Sequence, residues 1–213
     1  MEKLKTTDVK KILDVMADTA IENEQYFCKL DAAAGDGDFG STLAKGFKII
    51  KENLEENSKY DIGELLKSSG MLIMKSCGGA TGSLWGSAFR SAGKSAKGKA
   101  ELTAVECREV LNDFCGGMKK VGGAEVGDKT LIDALDPAIK AMERSIEKGV
   151  KDIDTLLEEA EKAAADGAER TKEIIAKKGR ATYLGKRSIG YPDAGAVAVS
   201  MMFKDVNNKL FRS

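Results

Sequence analysis

The sequence contains no histidine among its 213 residues. Without an imidazole, the chain cannot form a Ser-His-Asp or Cys-His catalytic set, a phosphohistidine, or a histidine-ligated zinc or iron centre. Any chemistry that this chain performs must therefore use carboxylates, amides, hydroxyls, lysine and arginine.

The sequence also lacks an excess of either charge and a long apolar run. Its 34 basic side chains balance 34 acidic ones, whereas nucleic-acid binders carry a basic excess, so we expect no nucleic-acid partner. No segment approaches the roughly 20 apolar residues of a membrane span, and the amino end, MEKLKTTDVKK, has no signal-peptide core. We therefore expect no membrane association.

Cysteine is scarce and no Cys-x-x-Cys pair occurs. The four cysteines are Cys28, Cys77, Cys107 and Cys115. Isolated cysteines in a chain without a signal peptide predict reduced thiols and a cytoplasmic protein.

Only two prolines interrupt a chain rich in alanine, leucine, glutamate and lysine, which indicates helix rather than sheet. Apolar residues from Val9 to Ala20 recur at helical spacing, with Thr7 as a candidate N-cap. Comparable patterns predict helices over residues 26–30, 41–57, 62–75, 81–92, 103–121, 129–148, 153–177 and 194–207. The sequence predicts no pair of strands, so we expect an all-α bundle that forms a single domain over residues 1–213.

Glycine is abundant and unevenly distributed. The 23 glycines concentrate in four clusters, around residues 35–40, 78–86, 116–127 and 179–195, and each cluster precedes a predicted helix. Glycine often ends a helix because it adopts the left-handed conformation without strain. Four clusters in this position indicate loops that also approach a ligand.

The first cluster reads DAAAGDGDFGST over residues 31–42 and holds three carboxylates, those of Asp31, Asp36 and Asp38. No lysine or arginine follows before Lys45, so the carboxylates would repel one another unless a cation lies between them. Oxygen ligands with open positions favour Mg²⁺ that also carries water and phosphate. A solvated acidic turn whose aspartates cap helices is the alternative.

A calcium EF-hand does not fit this cluster. When the loop is counted from Asp36, a ligand oxygen, an invariant glycine and a final glutamate are required at positions that hold other residues. Those positions hold Gly40, Ser41 and Phe47. The sequence therefore excludes this type of calcium loop.

The second cluster, SCGGATGSLWG over residues 76–86, has the composition of a phosphate-binding loop. Amides at a helix start, together with the hydroxyls of Thr81 and Ser83, form a cradle for an anion. Tight helix packing through Gly82 and Gly86 explains the small residues equally well. The segment is neither a P-loop nor a Rossmann turn, because no Gly-Lys-Ser/Thr follows and no strand precedes it.

The third and fourth clusters add a helix start and positive charge. GGAEVGDKTLIDAL, residues 122–135, opens a helix that Asp128 would cap, which is a sufficient structural reason for that residue. Residues 177–195 hold five cations before the first acid. These cations either bind a polyphosphate or belong to a basic surface loop. Beside an acidic cluster and a glycine-rich loop, they favour phosphoryl transfer. The cations are Lys177, Lys178, Arg180, Lys186 and Arg187.

Four motifs, GDGDFG, GGATGSLWG, AEVGDKTLIDAL and GRATYLGKRSIGYPDAGAVA, follow in this order over nearly the whole chain. Together they resemble the nucleotide-binding L subunit of bacterial dihydroxyacetone kinase, a domain that also forms the C-terminal part of single-chain ATP-dependent dihydroxyacetone kinases. The resemblance implies a closed barrel of about eight antiparallel amphipathic helices, with ADP or ATP and a pair of Mg²⁺ ions held by the loops at one end.

The resemblance also implies roles for individual residues. The implied metal ligands are Asp31, Asp36 and Asp38. The implied phosphate contacts are Phe39, Gly40, Ser41, Thr42, Ala80 and Thr81. The remaining implied nucleotide contacts are Gly122, Leu131, Arg180, Asp193, Ala194 and Gly195, with Leu131 near the adenine. No further catalytic residue is implied on this chain.

Partner subunits follow from the same resemblance. In the family a separate K subunit binds dihydroxyacetone through its own histidine, and phosphoryl reaches the triose from nucleotide on the L subunit. In phosphotransferase-dependent systems an M subunit fed from phosphoenolpyruvate rephosphorylates the bound ADP, and a free-standing chain of this length favours that type. The open alternatives are an ATP-dependent kinase for another short ketose, a fatty acid kinase, and a nucleotide-sensing module that binds a transcription regulator.

Two departures from the family pattern concern the phosphate site. Phe39 stands where the family usually has histidine, and YPDAG, residues 191–195, replaces a histidine-x-Asp-Pro-Gly pattern. Phenylalanine cannot donate a hydrogen bond to phosphate, and the loss of one charge-assisted contact costs roughly 1.5–3 kcal/mol unless another contact replaces it. We therefore expect nucleotide retention, the phosphoryl donor or the sugar to differ from those of typical members.

Overall fold

The computed structural model describes residues 1–55 and 60–212, and within these ranges it contains nine α-helices. They are α1 (Thr6–Glu22), α2 (Glu24–Ala32), α3 (Phe39–Glu52), α4 (Ile62–Ser76), α5 (Gly79–Ser95), α6 (Ala104–Gly122), α7 (Ile132–Glu147), α8 (Ile153–Arg170) and α9 (Ala194–Leu210). Two 3-10 segments, Thr171–Glu173 and Arg180–Ser188, lie between α8 and α9. The predicted all-α class is confirmed.

One short pair of strands corrects the expectation that the chain has none. Strand β1 (Lys3–Lys5) pairs antiparallel with β2 (Glu101–Thr103), with Leu4 opposite Leu102. Each strand has three residues and one fully buried side chain. A single alternation of this length is too short to register as a strand in the sequence pattern.

Eight of the helices pack side by side in a closed ring. The order around the ring is α1, α3, α4, α5, α6, α7, α8 and α9, and α9 packs again on α1, while α2 lies against α3 and α9. Aromatic rings in the barrel interior meet edge to face, with centroids 5.2 Å apart for Phe47 and Trp85 and 5.1 Å apart for Phe89 and Phe114. This closed barrel is the architecture that the family resemblance implies.

Every second helix of the ring begins at the same end of the barrel. The starts of α1, α4, α6 and α8 are tied together, because β1 pairs with β2, the Ile62 amide donates to the Lys99 carbonyl, and the Ile153 amide donates to the Met1 carbonyl. The starts of α3, α5, α7 and α9 therefore lie at the opposite end. Since helix N-termini carry partial positive charge, that end attracts anions.

Several predicted helix boundaries differ from the structure. The predicted N-cap Thr7 lies inside α1, whose N-cap is Lys5. The helix predicted over residues 153–177 ends at Arg170, where the fully buried Thr171 begins a 3-10 turn. The helix predicted from residue 129 begins at Ile132, because Lys129 has a φ of +62°, which no right-handed helix contains. The helix predicted over residues 41–57 ends at Glu52, and its last two residues lie outside the described ranges.

The described helices also bear on membrane association. Each of them is too short or too polar to cross a lipid bilayer.

Candidate functional site

A cavity of about 660 Å³ lies at the barrel end where α3, α5, α7 and α9 begin, a volume typical of small-molecule sites. Most residues that the family resemblance assigns to the site line it. They are Asp31, Asp36, Asp38, Phe39, Thr42, Ala80, Thr81, Gly122, Leu131, Arg180, Asp193, Ala194 and Gly195. The fold therefore brings together four loops that are far apart in sequence.

Three aspartates gather at one side of this cavity. One carboxylate oxygen from each of Asp31, Asp36 and Asp38 lies within 4.8 Å of the others. Asp31 shapes the loop, because its Oδ2 accepts hydrogen bonds from the amides of Gly37, at 2.9 Å, and Phe39, at 3.3 Å. A φ of +77° at Gly37 makes the turn that folds Asp36 and Asp38 back towards Asp31.

The three carboxylates fit a hard divalent cation. Oxygen donors alone, with few protein ligands and an open side towards the cavity, suit Mg²⁺ that completes its shell with water and phosphate. A basic side chain also reaches the cluster, since the Arg180 guanidinium forms an ion pair with the Asp36 carboxylate. Asp38 precedes α3 without a side-chain cap from the described residues, so helix capping does not account for its carboxylate.

The start of α5 faces the same cavity. Gly78 and Gly79 line it, and a Cβ added at either position would meet no described atom within 4 Å. Gly79 has a φ of +67°, which aims the first amides of the helix at the cavity. These two glycines therefore leave the start of the helix open to the cavity, as a phosphate-binding loop requires.

The later glycines of that cluster serve helix packing. A Cβ on Gly82 would lie 2.9 Å from the Cys77 carbonyl carbon, and one on Gly86 would lie 2.8 Å from the Met74 sulfur. The packing alternative thus holds for Gly82 and Gly86, whereas phosphate binding by the first part of the cluster stays a prediction.

Two residues with implied phosphate contacts do not line the cavity in the described structure. Gly40 is buried against α2, where a Cβ would lie 2.7 Å from the Cys28 amide nitrogen and still closer to the Glu24 carbonyl. The Ser41 hydroxyl donates to the Asp38 carbonyl at 2.9 Å. Their phosphate contacts remain predictions, whereas the packing of Gly40 and the loop contact of Ser41 are visible structural roles.

Asp128 does not cap the following helix, which corrects the sequence interpretation. Its carboxylate accepts from the Glu125 amide at 3.0 Å and closes a turn before α7. The start of α7 is instead organised by the buried Asp133, which accepts from the amides of Gly127, at 2.5 Å, and Thr130, at 2.7 Å. The distance in sequence between Asp128 and Ile132 is too great for an N-cap.

The basic segment is divided between the cavity and the surface. Lys178 and Arg180 line the cavity, whereas Lys177 pairs with Asp128 at 3.5 Å. Lys186 and Arg187 lie in the 3-10 segment that begins at Arg180, but they are not among the described residues that line the cavity. Lys178 and Arg180 thus bring the charge of this segment to the cavity, and Arg180 is the one that contacts the acidic cluster among the described residues.

Other lining residues are not evident from the sequence motifs alone. The apolar side chains of Leu84, Met118 and Val121 line the cavity together with the predicted Leu131, and such side chains suit contact with a flat aromatic base. Lys129 also lines the cavity, although only 2% of it is exposed. The GDKT motif contains this lysine, but a lysine in a glycine-rich loop is expected to be exposed to solvent, so the motif alone does not predict its burial.

Asp193 lies where α9 begins and has an unusual protonation equilibrium. Burial of its carboxyl group raises its pKa to about 7, although the hydrogen bond from the Ala196 amide and the nearby Lys129 ammonium oppose the rise. Strongly shifted carboxyl groups of this kind concentrate at functional sites.

Comparison with known proteins agrees with this geometry. The DAK2 domain profile matches residues 33–208. This chain belongs to the DAK2 domain family. The resemblance found in the sequence motifs is thereby confirmed.

Two relatives and one solved structure show how far the similarity extends. The ADP-binding subunit DhaL of the PEP-dependent dihydroxyacetone kinase of Escherichia coli K12 is 35% identical over 94% of this chain and 95% of its own length. The L-erythrulose 1-kinase of Mycolicibacterium smegmatis is 31% identical over 96% of this chain but 36% of its own length. The crystal structure of the dihydroxyacetone kinase from C. freundii with AMP-PNP and Mg²⁺ superimposes with a TM-score of 0.75 at 30% identity, over 98% of this chain and 35% of that one.

Proposed function

We propose that this chain is the Mg²⁺- and ADP-binding subunit of a dihydroxyacetone kinase and works as a single nucleotide-binding domain. It passes phosphoryl from bound nucleotide to dihydroxyacetone held on a K subunit, and an M subunit fed from phosphoenolpyruvate recharges the nucleotide. The observation that carries the proposal is the convergence of Asp31, Asp36 and Asp38 beside the open start of α5 in one cavity. Similarity to the E. coli subunit over nearly the full length of both chains supports it.

The chain's own residues hold the nucleotide and balance its charge. Asp31, Asp36 and Asp38 would hold Mg²⁺, which supplies charge neutralisation at the phosphates when bound. The starts of α3 and α5 would face the phosphates of a bound nucleotide, and the exposed Arg180 guanidinium would add a positive charge beside the acidic cluster. Catalysis thus comes from positioning and electrostatics, with no covalent intermediate on this chain and with activity only in the presence of partner subunits.

Reconstitution tests this proposal. The purified chain is mixed with K and M subunits, phosphoenolpyruvate and the general phosphotransferase proteins, and dihydroxyacetone phosphate is quantified. We expect product only in the complete mixture and catalytic rather than stoichiometric use of ADP. Nucleotide binding without turnover in any mixture would instead support the nucleotide-sensing module that binds a transcription regulator.

A second acceptor is favoured by one specific similarity. The similarity to the L-erythrulose 1-kinase, over 96% of this chain and 36% of that enzyme, supports a four-carbon ketose as an alternative acceptor. The same assay with erythrulose, and with ATP replacing phosphoenolpyruvate, separates the two proposals.

The unpaired thiols of all four cysteines fit the reducing cytoplasm in which such a kinase would work.

Restoring the family's histidine at position 39 should strengthen nucleotide binding. The Phe39 ring packs 6.3 Å from the Phe27 ring and lines the cavity without a hydrogen-bond donor. We expect Phe39→His to tighten Mg-ADP binding by roughly tenfold, because one charge-assisted contact is gained. Calorimetry measures the change, and Tyr26→His on the exposed face of α2 is the matched control. Equal affinities of Phe39→His and the wild type would contradict the prediction.

A further inference from the structure

One buried lysine links three of the loops that surround the cavity. Lys129 is 2% exposed, and among the described residues it is the one non-glycine residue with a positive φ. Its ammonium donates to the Thr171 carbonyl and, at 2.6 Å, to the Tyr191 carbonyl. A buried lysine is rare unless its charge is compensated, so this arrangement needs an explanation beyond chance packing.

The hydrogen bonds continue from Thr171 to the start of α9. The Thr171 hydroxyl accepts from the Asp193 amide at 2.9 Å, and Asp193 Oδ2 accepts from the Ala196 amide at 2.8 Å. The segment from Tyr191 to Asp193 is thus fixed at one end by Lys129 and at the other by Thr171. This segment leads directly into the start of α9, where Asp193, Ala194 and Gly195 line the cavity.

The backbone of Lys129 fixes the facing wall. Leu131 follows two residues later, and a Cβ placed on Gly195 would lie 3.2 Å from the Leu131 Cβ. The separation between the α7 start and the α9 start therefore depends on where Lys129 holds each loop. Burial lowers the pKa of Lys129, whereas the nearby carboxylates of Asp193 and Asp133 raise it.

We propose that Lys129 is a positioning residue that sets the width of the nucleotide cavity by tying the α6–α7 loop to the Thr171 turn and to the loop before α9. Two of its three N–H groups are used by backbone carbonyls, so it acts through the loops rather than as a ligand of the phosphates. The inference rests on the proposed nucleotide site, and it adds to that site a residue whose contribution is independent of phosphate charge.

The test compares ligands with and without phosphate. Lys129→Met keeps the length and the volume of the side chain but removes every donor. We expect it to weaken binding of Mg-ADP and of adenosine by the same factor, roughly tenfold or more, as read from the fluorescence of the single tryptophan, Trp85, which lines the cavity. A larger loss for Mg-ADP than for adenosine would show a direct phosphate contact and overturn the proposal, as would unchanged affinity for both.

A second measurement separates loop positioning from general stability. Amide hydrogen exchange should be faster in residues 171–174 and 189–193 of Lys129→Met than in the wild type. The helices of Lys129→Met should exchange as slowly as those of the control variant Lys140→Met. Lys140 lies on α7, is exposed and pairs only with Asp136 among the described residues, so it is the matched control. A uniform rise in hydrogen exchange over the whole barrel would show that Lys129 contributes only to global stability, and it would contradict the proposal.

A second variant and the binding of the wild type itself decide two further cases. If Lys129→Met does not fold, Thr171→Val removes the hydroxyl that accepts from the Asp193 amide and donates to the Ala168 carbonyl, while the Thr171 carbonyl can still accept from Lys129. This variant should weaken both ligands equally, by a few-fold; no change would overturn the proposal. If the wild type binds neither ligand, the proposed function fails, and the exchange measurement still tests the connection by itself.

Discussion

Replacing Asp36 or Asp38 by asparagine is expected to abolish Mg²⁺-dependent binding of ADP, with a loss of affinity of roughly 100-fold or more. Each carboxylate lies within 4.8 Å of the two others in the acidic cluster. Asparagine keeps the shape of the side chain and one oxygen but removes the negative charge that attracts the cation. Calorimetry with ADP in the presence of Mg²⁺ measures the loss.

The matched control for these variants is Asp14→Asn. Asp14 lies on α1 and pairs with Lys51 at 2.8 Å, in a partly exposed position that is not among the described residues lining the cavity. We expect Asp14→Asn to bind Mg-ADP like the wild type. Undiminished affinity in both Asp36→Asn and Asp38→Asn would contradict the assignment of the metal ligands.

Replacing Gly40 by alanine should destabilise the protein by about 2–3 kcal/mol, because the added methyl group has no space. The Cβ would lie 2.7 Å from the Cys28 amide nitrogen and 2.9 Å from the Cys28 sulfur, so α2 and the start of α3 must separate. The acidic loop connects those two helices. Urea unfolding measures the loss of stability, and weaker Mg-ADP binding by the folded variant should accompany it.

The control is an alanine substitution that should raise the free energy of unfolding instead of lowering it. Gly116 lies inside α6, is exposed, and has space for a Cβ in the part of the chain that the structure describes. Gly116→Ala should raise the free energy of unfolding by about 0.5–1 kcal/mol, since alanine has the higher helix propensity. A Gly40→Ala protein as stable as the wild type would refute the packing role assigned to Gly40.

Helical periodicity in the sequence was sufficient to predict most of the barrel, because each helix buries a regular apolar stripe. Where the prediction failed, a single residue decided the outcome through tertiary contacts. Lys129 begins no helix because its φ is +62°, in a loop where its ammonium donates to two backbone carbonyls. Helix α8 ends where the fully buried Thr171 begins a 3-10 turn. Strands β1 and β2 were missed because each holds one fully buried residue, too few for a pattern.

The acidic part of the candidate site could be predicted because its chemistry is local in sequence. Three carboxylates in eight residues repel one another and favour a bound cation wherever the loop lies. The roles of Gly40 and Lys129 could not be predicted, since the first depends on the approach of α2 and the second on two distant carbonyls. Such residues become interpretable only when the barrel is assembled.

The absence of histidine now has a place in the structure. The proposed reaction does not require histidine on this chain, because the family resemblance implies that the sugar-binding histidine lies on the K subunit. At position 39 the absence has a local consequence, since the Phe39 ring packs on Phe27 where the family usually has a phosphate-contacting side chain.

Native mass spectrometry of the purified wild-type protein tests the central claim most directly. After incubation with ADP and Mg²⁺, we predict a mass increase equal to one ADP with bound magnesium, which disappears when EDTA removes the metal. An unchanged mass, or an ADP adduct that survives EDTA in full, would contradict a nucleotide site built on Asp31, Asp36 and Asp38.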